Sequence, residues 1–306
     1  GLFERGSLLP VSIAPNFECT NMGETEMIFG GIDVLIDKIK EVKLRKPKAI
    51  IVISSCPAGI IGDDIDRIKC LEEENMPVIT IKADGNISGD YLQGMLMSYS
   101  TLAEQVIRKD LKIVPNTINI VFEKVVAKNT DSNFKIIENF LSAMDVRVNC
   151  RFLCETTFDR LEGFLSAPLN LLANDDYTGE MLKNFFIEKY GCKFLEQPFP
   201  IGFDETKNWL LSVGEFFGKK EKALEIIRQN ESLYIEEVEM LKPLLSGKKL
   251  MIITYNHSLD WILKAALDVG IEIVKIGILN FSQDSGFRTN LGTSFNVEEN
   301  YDKEKR

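Results

Sequence analysis

Short apolar runs of strand length alternate with helix-patterned stretches along almost the whole chain, and this alternation restricts the fold more than any other feature. Strand, helix and strand in regular succession build parallel sheets covered by helices on both faces. AIIVISS (49–55) precedes a helical pattern near DDIDRIKCLEEEN, and PVITIKA (77–83) precedes another around SGDYLQGMLMSYSTLAEQVIRK. NIVFEKV (119–125) leads to NFKIIENFLSAMD and then to VRVNCRFL (146–153). APLNLLA (167–173) leads to GEMLKNFFIEKYG and then to CKFLEQP. The long stretch ETKNWLLSVGEFFGKKEKALEIIRQNESLYIEEVEMLKPLLSG carries hydrophobics at helical spacing and reads as two helices that cross between blocks. KKLMIITY (248–255), SLDWILKAALDVG and IEIVKIGIL open a last block, after which the text turns polar. The expectation is an α/β chain of repeated three-layer αβα domains with parallel sheets, divided into 1–114, 115–247 and 248–306. The last block shows only two strands, too few for a complete layer, so it borrows strands or the chain is a fragment.

At 306 residues the chain exceeds one ordinary core, and its 45% hydrophobic and 27% charged composition is that of a soluble globular protein. No apolar stretch approaches the roughly 18–20 residues that span a bilayer. The opening GLFERGSLLPVSIAPNFEC carries Glu4, Arg5 and two prolines, which does not fit a signal peptide. A cytoplasmic location without a membrane partner is expected. The formal charge of −10 and the lack of a basic stripe beyond KLRKPK (43–48) argue against nucleic acid as a partner.

The cysteines are Cys19, Cys56, Cys70, Cys150, Cys154 and Cys192, with no CxxC among them. The single histidine, His257, excludes a site built from several imidazoles, so a metal site here would rely on thiolate and carboxylate. Cys56 closes an apolar strand ahead of an expected helix start, where ligands collect in open parallel sheets and where backbone N–H groups favour a thiolate. Pro57 and Gly59 shape a tight turn beside it. Three readings compete: packing as a small hydrophobe, a nucleophile with no histidine near it in sequence, and an iron–sulfur ligand, which needs no histidine. The residues alone leave these open.

Cys150 and Cys154, four apart in one strand, would stand roughly 13 Å from each other at about 3.3 Å per residue, too far for a mutual disulfide. They read as packing residues, as do Cys70 and Cys192. Asp63 and Asp64 read as a helix start after Gly62. His257 reads as a turn or cap residue. GNISG (85–89) fits neither a Walker motif nor GxGxxG, so ATP is not expected to bind this chain. No residue is assigned as catalytic.

Two segments, CTNMGETEMIFGGIDVLIDKI (19–39) and VISSCPAGIIGDDIDRI (52–68), resemble the nitrogenase component 1 superfamily. Thr25, Glu26, Ile28, Phe29, Gly30 and Gly31 match the family's element that follows a cysteine and ends in F-G-G. Ser54, Cys56, Ile60, Ile61, Gly62, Asp63, Asp64 and Ile65 match its S-x-C-x-x-x-(I/L)-I-G-D-D-(I/L) element. PVITIKADGNISGDYLQGM, SAPLNLLAND, the Tyr190–Gly191 and Pro200–Ile201–Gly202 positions, and ITYNHSLDWILKAALDVGIEIVKIGI resemble later parts of the family more weakly.

The resemblance implies three Rossmann-like domains and an iron–sulfur cluster, 4Fe–4S or P-cluster-like, at a subunit interface. Cys19 and Cys56 match the second and third of the three cysteines that usually hold it. The first, in an upstream G-C element, has no match, nor does the K-P-D-(L/V) element of the third domain, so a fragment or a chain lacking segments is expected. Implied partners are an ATP-dependent iron protein and a homologous subunit, as a homo- or heteromeric dimer or tetramer. The molybdenum-type catalytic subunit has a cofactor-anchoring cysteine where LNLLAN has Asn174, and this argues against dinitrogen reduction. The implied function is a nitrogenase-like oxidoreductase subunit that passes low-potential electrons to an unassigned substrate or metallocofactor. The alternatives are a cofactor-assembly scaffold without turnover and a metal-free binding module.

Overall fold

The computed structural model describes residues 17–73, 75–85, 89–124, 127–255, 259–279 and 287–301. His257 and most of GNISG lie outside them. The chain divides into two compact units, with the boundary between Phe199 and Pro200.

In the first unit, α1 (Glu24–Phe29) and α2 (Ile32–Lys43) precede β1 (Ile50–Ile53). After β1 come α3 (Cys56–Ile61), a 3₁₀ turn (Ile65–Leu71), β2 (Val78–Ile81) and α4 (Tyr91–Val106). β1 and β2 pair in parallel, Ile50 opposite Val78 and Ile53 opposite Ile81. Alternation along β2 sends its residues to two cores. Val78 joins Ile39 of α2, Ile50 and Ile68, whereas Ile79 and Ile81 join Leu102, Ala103 and Val106 of α4. Helices therefore cover both faces of β2, as the period of two requires.

A second sheet of the same unit has the order β4-β3-β5, all parallel. It is formed by β3 (Thr117–Val121), β4 (Arg147–Arg151) and β5 (Leu169–Leu172), with α5 (Thr130–Ala143) between the first two. α6 (Phe158–Glu162) precedes β5, and α7 (Tyr177–Tyr190) follows it. An asparagine on each strand ties the sheet internally. Asn149 Nδ2 donates to Asn119 Oδ1, and Asn119 Nδ2 donates to Asn170 Oδ1, each at 2.9 Å. Buried amides linked this way satisfy one another and penalise a slipped register.

The second unit holds α8 (Phe203–Phe216), α9 (Lys220–Leu245), β6 (Lys249–Thr254), α10 (Asp260–Asp268), β7 (Glu272–Ile278) and β8 (Val297–Glu299). The sheet order is β6-β7-β8, again parallel. β8 comes from the polar tail NVEEN, so this sheet has a third strand that the apolar pattern did not announce. No helix among the described residues is long and apolar enough to cross a membrane.

Three local expectations are corrected. The helix near DDIDRI begins earlier, at Cys56, because Pro57 tolerates the first turn and Gly62, at φ +75°, closes the helix in the left-handed region. DDIDRI itself enters a 3₁₀ turn. Its three-residue period points Ile65, Ile68 and Leu71 inward, so Cys70 is exposed and donates to the Arg67 carbonyl at 3.1 Å. Cys154 lies beyond the end of β4, not on the strand with Cys150, although both are buried.

Candidate functional site

Cys56 is the first residue of α3, directly past the carboxyl end of β1, and its thiol is free and exposed. Two glycines lie at this corner. A Cβ on Gly85 would stand 3.6 Å from Cys56 Sγ, and a Cβ on Gly59 would overlap the buried Asp84 carboxylate. At the far end of α3, Asp63 Oδ2 accepts from the Gly31 amide at 2.8 Å. The elements IFGG and IGDD, 32 positions apart, thus meet. Asp64 rather than Asp63 caps the 3₁₀ turn, accepting from the Asp66 amide at 3.3 Å. The Ser54 hydroxyl oxygen, two residues before Cys56, is buried without a hydrogen-bond partner.

Cys19 is also free and exposed. Its neighbour Glu18 pairs with Arg45 at 2.6 Å and approaches Lys38 at 3.9 Å, at and beyond the C-terminal half of α2. Asp63 meets the opposite end of α2. These contacts fasten the Cys19 and Cys56 segments to the two ends of α2, and Met22, three residues after Cys19, also reaches Gly31 beside Asp63. Among the described residues, no three His, Cys, Asp or Glu side chains stand close enough together to hold a metal ion. Free, exposed thiols fit a share in a thiolate-held cluster, and a complete set would need donors from beyond the described residues.

A second cluster lies at the carboxyl ends of β3 and β4. Arg151 and Glu123 are both buried and form a bidentate pair, with Nε to Oε2 and Nη2 to Oε1 each 2.8 Å. Arg151 also donates to Glu155 at 2.9 Å and to Cys154 Sγ at 3.2 Å, and it stacks over the Phe134 ring at 3.8 Å. Burial opposes the guanidinium charge, but Glu123 outweighs it and holds the Arg151 pKa above its ordinary value. Burial, aided by the Glu123 charge, pushes the Cys154 thiol up to about 12, and burial pushes Cys150 to about 11. Phe122, Leu153 and Glu155 stand here at φ +64°, +60° and +41°, a left-handed backbone that non-glycine residues adopt at some cost. The sequence carried a signal for this cluster: Glu123 in NIVFEKV and Arg151 in VNCRFL each place a charge beside strand-forming apolar residues.

Residues 8–306 match the profile of the family described as Nitrogenase component 1 type Oxidoreductase. The chain belongs to that family. Among its curated relatives is a nitrogenase molybdenum-iron protein alpha chain of Methanothermobacter thermautotrophicus, 26% identical over 92% of this chain and 61% of the relative. Another is the nitrogenase iron-molybdenum cofactor biosynthesis protein NifE of Clostridium pasteurianum, 28% identical over 92% of this chain and 62% of that one. A solved structure titled Nitrogenase Cp1 at pH 6.5 superposes with a TM-score of 0.68 at 22% identity, over 85% of this chain and 50% of that chain. That likeness establishes the fold. The chain spans about three-fifths of the length of these curated relatives. Within this nitrogenase component 1 member, Asn174 is occupied structurally, its Nδ2 donating to the Phe122 carbonyl at 2.9 Å across the β3 and β5 ends.

Proposed function

We propose that this nitrogenase component 1 member is an electron-transferring oxidoreductase subunit in which Cys56 and Cys19 contribute thiolates to an iron–sulfur cluster completed from outside the described residues. The observation that carries the reading is the position of Cys56: an exposed, free thiol just past a strand's carboxyl end, at the first residue of a helix. When bound, such a cluster supplies low-potential one-electron transfer. The chain's own part is to present the thiols and hold them in place. α1 packs against α3, and these helices leave Ile28, Phe29 and Ile60 exposed, which suits a site shared with a homologous subunit. An ATP-dependent iron protein would be the electron donor, docking as a separate polypeptide. Three Rossmann-like domains with boundaries near residues 114 and 247 belong to the same proposal.

The test is iron and acid-labile sulfide in the anaerobically isolated protein. Wild type should contain both, and Cys56→Ala should lose them while remaining folded. Iron retained by the variant at the wild-type level would defeat the ligand assignment. A scaffold role without turnover is the second reading. It is favoured by Asn174 standing where a catalytic subunit would carry its anchoring cysteine and by the likeness to NifE. Reductant- and ATP-dependent turnover with the iron protein distinguishes the two, since a scaffold would show none.

A further inference from the structure

We propose that Asp63 is a positioning residue for Cys56, fixing the short helix that carries the thiol against the turn between α1 and α2. This rests on the ligand role of Cys56. Gly31 is buried and caps α2, so its amide cannot bond within that helix and needs a partner from elsewhere. Asp63 Oδ2 supplies that partner at 2.8 Å. The fit is close: a Cβ at Gly30 would come within 3.1 Å of Oδ1, and one at Gly31 within 3.1 Å of Oδ2. Gly30, at φ +100°, is a conformation that glycine adopts without strain.

The other links in the arrangement tie Asp63 rigidly to the sulfur. The Asp63 amide donates back to the Ala58 carbonyl at 3.0 Å, so its side chain moves with α3 as a unit. On its other side α3 is seated by Gly59, which lies against the Asp84 carboxylate, and Cys56 Sγ faces the Gly85 backbone. Six residues are too few to form a stable helix alone, so the direction of α3 depends on these tertiary contacts. The Gly31–Asp63 bond ties it to the turn between α1 and α2, beside the packing of α1 on α3. Glycines 30 and 31, Asp63 and Cys56 form a single mechanical link between the two sequence elements.

The experiment is alkylation of the native, metal-free chain by iodoacetamide, read by mass spectrometry as the Cys56 rate divided by the Cys70 rate. Cys70 is exposed on the neighbouring 3₁₀ turn and serves as the internal reference. Cys56 is already exposed, so the ratio reports how α3 is set and not access to it. Asp63→Ala should shift the ratio several-fold, within the roughly tenfold scale of losing a hydrogen bond to a charged acceptor. Asp63→Asn, which keeps a neutral oxygen acceptor, should recover a large part of the wild-type ratio. An unchanged ratio in Asp63→Ala, or an Asn variant that behaves like Ala, overturns the proposal. Cys150 and Cys154 are buried and would label only on global unfolding. Should the Ala variant expose them, hydrogen exchange of the Gly31 amide in the unaltered protein decides: slow exchange supports the bond, and exchange at the free-peptide rate refutes it. Iron retained by Cys56→Ala removes the ligand reading, and with it a role for Asp63 toward a cluster, whatever the alkylation ratio.

Discussion

Replacing Glu123 with alanine removes the main counter-charge of a guanidinium that is only 4% exposed. Breaking a buried pair from one side typically costs about 3–5 kcal/mol, because the remaining charge is stranded in a poorly solvated site. Glu155 at 2.9 Å and Asp131 at 3.7 Å still face Arg151, so the lower end, about 3 kcal/mol, is expected. The paired replacement Glu123→Leu with Arg151→Met removes both charges at similar volume and should recover most of that loss. The assay must report the first unit. Both tryptophans, Trp209 and Trp261, lie in the second unit, so their fluorescence follows the wrong half. Labelling of the buried Cys150 and Cys154 thiols against urea concentration follows the right one. Glu123→Ala should shift the labelling midpoint to lower urea, and the double variant should largely restore it. A single-variant cost below about 1 kcal/mol, or a double variant as unstable as the single, would refute the reasoning about an uncompensated buried charge.

Asp66 is held down to about 2 by hydrogen bonds from Lys82 and then Thr80, against an ordinary value of 3.8. Its folded pKa is depressed, so its contribution is complete above about pH 4 and disappears as the pH falls through 2. Asp66→Asn should therefore be less stable at neutral pH by up to about 1 kcal/mol, small because the pair is solvent-screened. The difference, read from urea midpoints, should close on acidification. Gly202, at φ +81°, lies with its missing Cβ 2.5 Å from Trp261 Cβ, so Gly202→Ala should destabilise the second unit by about 2 kcal/mol or more. Here tryptophan fluorescence is the proper probe. In the native chain at pH 8, Cys19, Cys56 and Cys70 should alkylate quickly. Cys150, Cys154 and Cys192, raised to about 11, 12 and 11, should stay unlabelled.

The parallel α/β architecture was legible because burial imposes it on the pattern: Ile118, Ile120 and Val121, or Leu169, Leu171 and Leu172, have no polar face to show. Polar residues were where the reading lost resolution. Asn119 and Asn170, which look like interruptions in apolar runs, are buried ties between strands. β8 is a strand by virtue of its pairing with β7 and not of its own composition. Cys70 was misplaced because an apolar spacing of three fits both an α-helix and a 3₁₀ turn until the backbone is seen. For the candidate site, Cys56 was visible as a thiol at a strand end, and the family elements singled out IFGG and IGDD. The bond that joins them was not visible, since Asp63 and Gly31 are 32 positions apart and nothing local announces the pairing.

The most direct measurement of the central claim is the electron paramagnetic resonance spectrum of the dithionite-reduced protein, isolated anaerobically, for wild type and Cys56→Ala side by side. A ligand role for Cys56 predicts an iron–sulfur signal in wild type that is lost or altered in shape and intensity in the variant, with the Cys70→Ala control unchanged. Identical spectra from wild type and Cys56→Ala would contradict it.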